Sequence, residues 1–157
     1  MSKLSTLIEQ YLAGPSELRA AVKGMTREQL VARPVAGKMS TLEVVCHLVD
    51  FDPVYAQRMK CVIAEDNPTL LGADENRFKA ALSYHNRDLE EELTILEKTR
   101  SQMARILRTL PDEALKRPGV HNERGPQTLE SLLTAITAHI PHHVKFIHEK
   151  RKALGIS

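Results

Sequence analysis

Ala138-His139-Ile140-Pro141-His142-His143-Val144-Lys145-Phe146-Ile147 lies near the end of a 157-residue chain, inside a long helical pattern that opens around Thr128. Leu129, Leu132, Ile136, His139, His143 and Phe146 follow one another at steps of three and four, the seam of one helix face. Two histidines therefore take seam positions where leucine is expected. Residues four apart are neighbours on a helix surface, so His139 and His143 can point at one spot. Converging imidazoles inside a helical core are costly to desolvate without a partner. A metal ion is the simplest partner, because neutral imidazole is the commonest protein metal ligand. Three readings follow: a metal enzyme, a metal-binding module without chemistry, and a helical protein with hydrogen-bonded core histidines.

The rest of the chain also reads as helices. Leu4, Leu7, Ile8, Tyr11, Leu12, Leu18, Val22 and Met25 keep helical spacing, with a kink or short break expected at Gly14-Pro15. Thr26 caps a short piece through Leu30. Ser40 and Glu43 form a capping box that opens a long helix to about Ile63. Its stripe, Val44, His47, Phe51 and Val54, again carries a histidine, and Pro53 is expected to bend it. Asn67-Pro68 begins a loop, and Asp74 to Leu82 reads as a short helix. A third long helix starts near Asn86 or Asp88, with the seam Leu89, Leu93, Leu96, Met103, Leu107 and Leu110 broken by Arg100. His121 to Pro126 reads as a polar loop, and Gly155 as the C-cap of the last helix. The segment Met25 to Glu43 recurs in outline as Leu110 to Glu130, so the chain reads as two related helix pairs. The fold expected is all-α, a four-helix bundle with short helical turns in its connections, forming one domain over residues 1–157.

Composition removes several function classes. Hydrophobic residues are 42% and charged ones 27%, with a formal net charge of +2. Lys150-Arg151-Lys152 is the densest basic run, and it suits a helix C-terminus, so no nucleic-acid footprint is expected. No apolar run is long enough to span a membrane. Cys46 and Cys61 have no Cys-x-x-Cys spacing and read as reduced core residues of a cytoplasmic protein.

If the helices bearing His47, His139 and His143 are adjacent, three imidazole nitrogens can meet one ion. Three protein ligands with an open position mark catalytic zinc-type sites, whereas four close a structural one. Nitrogen ligation suits zinc and nickel, and also iron, cobalt or copper. His142, His85, His121 and His148 fall off the seam or in connections. Ile140 stands where a zincin has glutamate, so there is no His-Glu-x-x-His motif. Asp50 flanks the face of His47 as a candidate base or ligand-orienting group. Its competing assignment, shared with Asp52, is a solvated carboxylate or a partner of Arg58.

Gly37-Lys38-Met39-Ser40-Thr41-Leu42-Glu43, continuing to His47-Leu48-Val49-Asp50-Phe51-Asp52, resembles the first motif of DinB-like (YfiT-like) proteins. His139-Ile140-Pro141-His142-His143 resembles their C-terminal histidine motif. Met39 stands where tryptophan is usual, Asp52 where glutamate is commoner, and Phe146 where many members have glutamine. The resemblance covers nearly the whole chain. It implies a four-helix bundle, often homodimeric, with a divalent metal on His47, His139 and His143; zinc or nickel comes first, then iron or manganese. It also implies a small-molecule substrate, with either transfer of a low-molecular-weight thiol or metal-dependent hydrolysis.

Overall fold

Each long helix starts where a short polar side chain can close it, as the computed structural model, which describes residues 1–157, shows. Ser2 accepts from the Ser5 N–H at the head of α1 (Lys3–Val22). Thr26 and Gln29 box the start of α2 (Arg27–Val31). Ser40 and Glu43 make the expected capping box at α3 (Thr41–Ala64). After the two-residue strand β1 (Thr69–Leu70), Asp74 caps α4 (Glu75–Ala81) through two backbone N–H groups. Asp88 caps α5 (Leu89–Leu107), whose first turn carries Glu90, Glu91 and Glu92 at the positive end of the dipole. Strands β2 (Pro118–His121) and β3 (Gly125–Thr128) precede α6 (Leu129–Ala153), which ends at Gly155 with φ 68°. Short 3-10 turns at Tyr84–Asn86 and Asp112–Lys116 complete the connections.

The four long helices form the expected all-α bundle. Helix α1 packs on α5 and α6, and α3 packs on the same two. The order around the bundle is therefore α1–α6–α3–α5, which makes α3 and α6, the histidine-bearing helices, neighbours. Along the bundle axis the apolar core divides. One part gathers Leu18, Leu42, Val45, Leu96, Ile140 and Ile147, and the other Ile8, Met59, Met103, Leu107, Leu132 and Ile136.

Arg100 lies between them. It is fully buried, and its Nε and Nη2 donate to the Asp52 carboxylate at 3.0 and 2.8 Å. Nη2 also donates to the Ile136 carbonyl and Nη1 to the Tyr11 carbonyl. The break expected at Gly14-Pro15 does not occur: α1 runs through it. Proline lacks the N–H that would reach back four residues to Tyr11, and Arg100 supplies that carbonyl's partner instead. Gly14 makes room for this, because a Cβ there would stand 2.5 Å from Arg100 Nη1 and 2.9 Å from Ile140 Cδ1. Asp52 is thus neither solvated nor paired with Arg58. Helix α3 likewise continues through Pro53.

The expected loop His121 to Pro126 is also corrected. Strands β2 and β3 form an antiparallel hairpin across it, and β1 adds to β2 in parallel, with Thr69 opposite Val120. Four-residue strands reading Pro-Gly-Val-His and Gly-Pro-Gln-Thr have too little apolar alternation to be read as strands. Gly119 permits their close seating, since a Cβ there would meet Leu70 and Val62 side-chain atoms at 3.0 Å.

Removing one partner of a buried ion pair strands the other, at about 3–5 kcal/mol. Arg100→Ala and Asp52→Ala are each expected to lower the urea unfolding free energy by about that amount, and the double variant by less than the sum. Gly14→Ala should destabilise too, although alanine is the better helix former.

Candidate metal centre

His47 is one of the buried polar residues of α3, and it faces α6 across the bundle. Its ring centroid is 4.8 Å from that of His139 and 4.7 Å from that of His143, and those two are 4.8 Å apart. The three imidazoles thus form a near-equilateral cluster. The Nε2 atoms of His47 and His139 are 2.9 Å apart, and one donor atom from each of the three rings falls within 4.8 Å of the others. Nitrogen donors on one zinc-type ion, each about 2.1 Å from it, stand no more than about 4.2 Å apart, so the His47–His139 spacing is that of co-ligands.

The chemistry of the cluster also fits a cation. Burial pushes the His139 ring down to about 3 and the His143 ring down to about 4, and neighbouring rings push the same way. Burial lowers His47 as well. All three rings are then neutral at neutral pH, the form that binds metal. The Nδ1 atoms of His139 and His143 are buried and have no hydrogen-bond partner.

The histidines do not sit at the centre of the α6 seam. Leu132, Leu133, Ile136, Ile140, Val144 and Ile147 are buried there, while His139, His143 and Phe146 are half-buried on its flank. His139, together with His47, lines a cavity of about 390 Å³, also walled by Phe51, Tyr55, Arg58, His121 and the 72–75 segment. A smaller one of about 130 Å³, bordered by Met39, Glu75 and Lys79, reaches His47 and His143 from the other side. Phe51 stacks against both His47 and Phe78, each at 5.1 Å, making an apolar wall.

Among the other candidates, Asp50 carries both oxygens on Arg87, at 2.6 and 2.9 Å. Neither it nor Asp52 pairs with Arg58. Cys46 is buried and directed at the Tyr84 carbonyl. His142 and His148 are exposed, and His85 contacts Arg33. The acid nearest the cluster is Glu75, whose Oε2 is 3.9 Å from His47 Nε2. Sequence reasoning missed it, because its position depends on how the loop after α3 returns. The Asp74 cap that sets α4 is the local signal for that turn.

The family model of the DinB superfamily matches residues 10–147. The chain belongs to that superfamily. Two relatives within reach of this DinB chain are described as candidate metal-dependent hydrolases. YfiT of Bacillus subtilis is 29% identical over 91% of this chain and 81% of its own length. A Geobacillus kaustophilus protein is 28% identical over 94% of this chain and 86% of its own. The solved structure of Bacillus subtilis YfiT, described as an unusual four-helix bundle, superposes with a TM-score of 0.91 at 28% identity. It covers 100% of this chain and 91% of that one.

Alanine at His47, His139 or His143 is each expected to abolish stoichiometric zinc or nickel uptake, read by elemental analysis of tag-free protein. Alanine at His85, His121 or His148 should leave it intact. In the metal-free protein, unfolded imidazoles take up protons below their ordinary value of 6.5, whereas the folded rings resist down to about 3 to 4. Stability present above about pH 6.5 is therefore lost progressively as the pH falls toward 3. Urea melts across that range should show the loss, and His139→Ala should flatten it.

Proposed function

We propose that this protein is a metal-dependent enzyme acting on a small molecule, with one divalent ion held by His47, His139 and His143. The observation that carries the reading is the convergence of three neutral imidazoles, two of which, His47 and His139, line an accessible cavity. Asp50 and Cys46 are committed elsewhere, so the donors proposed are the three imidazoles, the number found in catalytic zinc-type sites, with Glu75 beside them. The all-imidazole set accords with zinc or nickel, and after them iron or manganese. A bound ion would lower the pKa of a coordinated thiol or water and polarise an electrophile.

The chain's own residues supply the rest. Glu75, exposed and close to His47, is positioned to take the nucleophile's proton. Phe51 and Phe78 keep one side of the cluster apolar. Transfer of a low-molecular-weight thiol to an electrophile is the first reading, supported by the resemblance to thiol-using branches of the superfamily. Hydrolysis is the second, supported by the description of the relatives. Two unpaired cysteines accord with a reducing cytoplasmic setting. A homodimer is also proposed. Its support is the family resemblance, with little apolar surface added: Leu7, Leu12 and Ile106 pack partly on the core, leaving Ile95 exposed at 41%.

The test is turnover of an electrophile by zinc- or nickel-loaded protein, with and without added thiol. Thiol-dependent product supports transfer, and cleavage of an ester or amide without thiol supports hydrolysis. Absence of both in fully loaded protein contradicts catalysis. Glu75→Gln should lower kcat by about a hundredfold or more with metal content unchanged. Light scattering should return twice the 17.6 kDa chain mass, and a monomer would contradict the dimer.

A further inference from the structure

Two arginines of this chain are buried, Arg100 and Arg58, and carboxylates hold the first of them as they hold the half-buried Arg87. Arg100 pairs with Asp52, and Arg87 with Asp50 and Glu92. Arg58 is the exception. It is only 7% exposed, yet no carboxylate lies within ion-pair distance. Its Nε and Nη2 donate to one backbone carbonyl, that of Leu71, at 3.2 and 2.8 Å. Its guanidinium lies 5.0 Å from the centroid of the Tyr55 ring. The Tyr55 side chain is its hydrogen-bonding neighbour beyond Leu71, and no carboxylate pairs with it. A buried charge without a counter-charge is expensive, and this one forms part of the wall of the cavity that also contains His47 and His139.

A second donor stands in the same wall. His121 is 3% exposed, and its Nδ1 accepts from the backbone N–H groups of Glu123 and Arg124 at 3.1 and 3.2 Å. Those two bonds fix the tautomer: the ring proton is on Nε2, which has no protein acceptor. Arg124 adds a further positive charge at the cavity rim. No acidic group nearby closes on Arg58 as an ion pair, although Glu123 attracts it and His121 across the cavity. Asp74 caps α4, Glu75 stands at the histidines, and Glu123 lies over Gly72, where a Cβ would meet its Oε2 at 2.8 Å.

We propose that Arg58 and His121 form a carboxylate-binding subsite, so that the small molecule taken by this cavity is an anion whose charged end is held there and whose reacting end faces the histidine cluster. A guanidinium edge and an N–H donor match a planar carboxylate. A single negative charge suits the site better than a doubly charged phosphate, because Asp74, Glu75 and Glu123 share the cavity. The orientation of the molecule rests on the metal reading, whereas the subsite itself does not.

Straight-chain ω-mercaptocarboxylates of increasing length, each paired with its neutral amide, test both halves. In cobalt-loaded protein, thiol binding is read from the sulfur-to-cobalt absorption band. The acid of best-fitting length is expected to bind about tenfold or more tightly than its amide. Arg58→Met should erase that preference and leave amide binding as it was, while Arg58→Lys should keep part of it. Equal binding of acid and amide, or a preference that survives in folded Arg58→Met, overturns the proposal. Arg58→Met that lowers thermal stability and leaves the preference intact assigns Arg58 to anchoring Leu71 alone. In metal-free protein, nitrogen-15 NMR should show the acid, and not the amide, shifting Arg58 Nε and His121 Nε2; no shift there also overturns it. Should the protein bind no cobalt while those shifts persist, the metal reading fails and the subsite stands.

Discussion

One side chain touches every long helix of this bundle. Arg100, on α5, is paired with Asp52 on α3 and donates to carbonyls of α1 and α6. Burial raises the Asp52 carboxyl from its ordinary value, and the charge and hydrogen bonds of Arg100 oppose that shift. Apolar packing alone would let helices slide by a turn at modest cost. A buried charged layer does not, because any shift leaves a charge or carbonyl unpaired. Gly14 and Pro15 complete the arrangement, one by making space and the other by leaving a carbonyl free.

That layer sits beside the candidate metal centre. Asp52 follows His47 on α3 by little more than one turn, and Ile136, whose carbonyl Arg100 holds, precedes His139 on α6 by less than one. Fixing the two helices at Asp52 and Ile136 therefore fixes the register in which His47 meets His139 and His143. The cluster needs such support, since no acceptor holds Nδ1 of His139 or His143 in place. The cavity beside it is built differently, from segments between helices: the 72–75 turn and the β2–β3 hairpin, joined where the Gly72 N–H donates to Asn122.

The helices were legible because caps and periodicity are local. Ser40 with Glu43, Asp88 with its acidic first turn, and Gly155 each mark a boundary within a few residues. His47, His139 and His143 were legible because seam positions on two helices need only adjacency to meet. Arg100 was visible as an interruption of a leucine seam, but nothing near it pointed to Asp52 forty-eight positions away. Arg58, His121 and Glu75 were not assignable for the same reason: their roles arise from loops that return over the cavity. The hairpin was hidden because its strands are short and its pairing partner, β1, lies fifty residues earlier.

The proposed centre requires three imidazoles on one ion that stays open to a small molecule. X-ray absorption of the zinc-loaded protein tests this most directly, because it counts imidazole ligands and distinguishes sulfur from nitrogen and oxygen. Three imidazoles at about 2.0–2.1 Å are expected, completed by light atoms from solvent and no protein sulfur. Fewer than three imidazoles, or a sulfur that remains in the shell without added thiol, would contradict it.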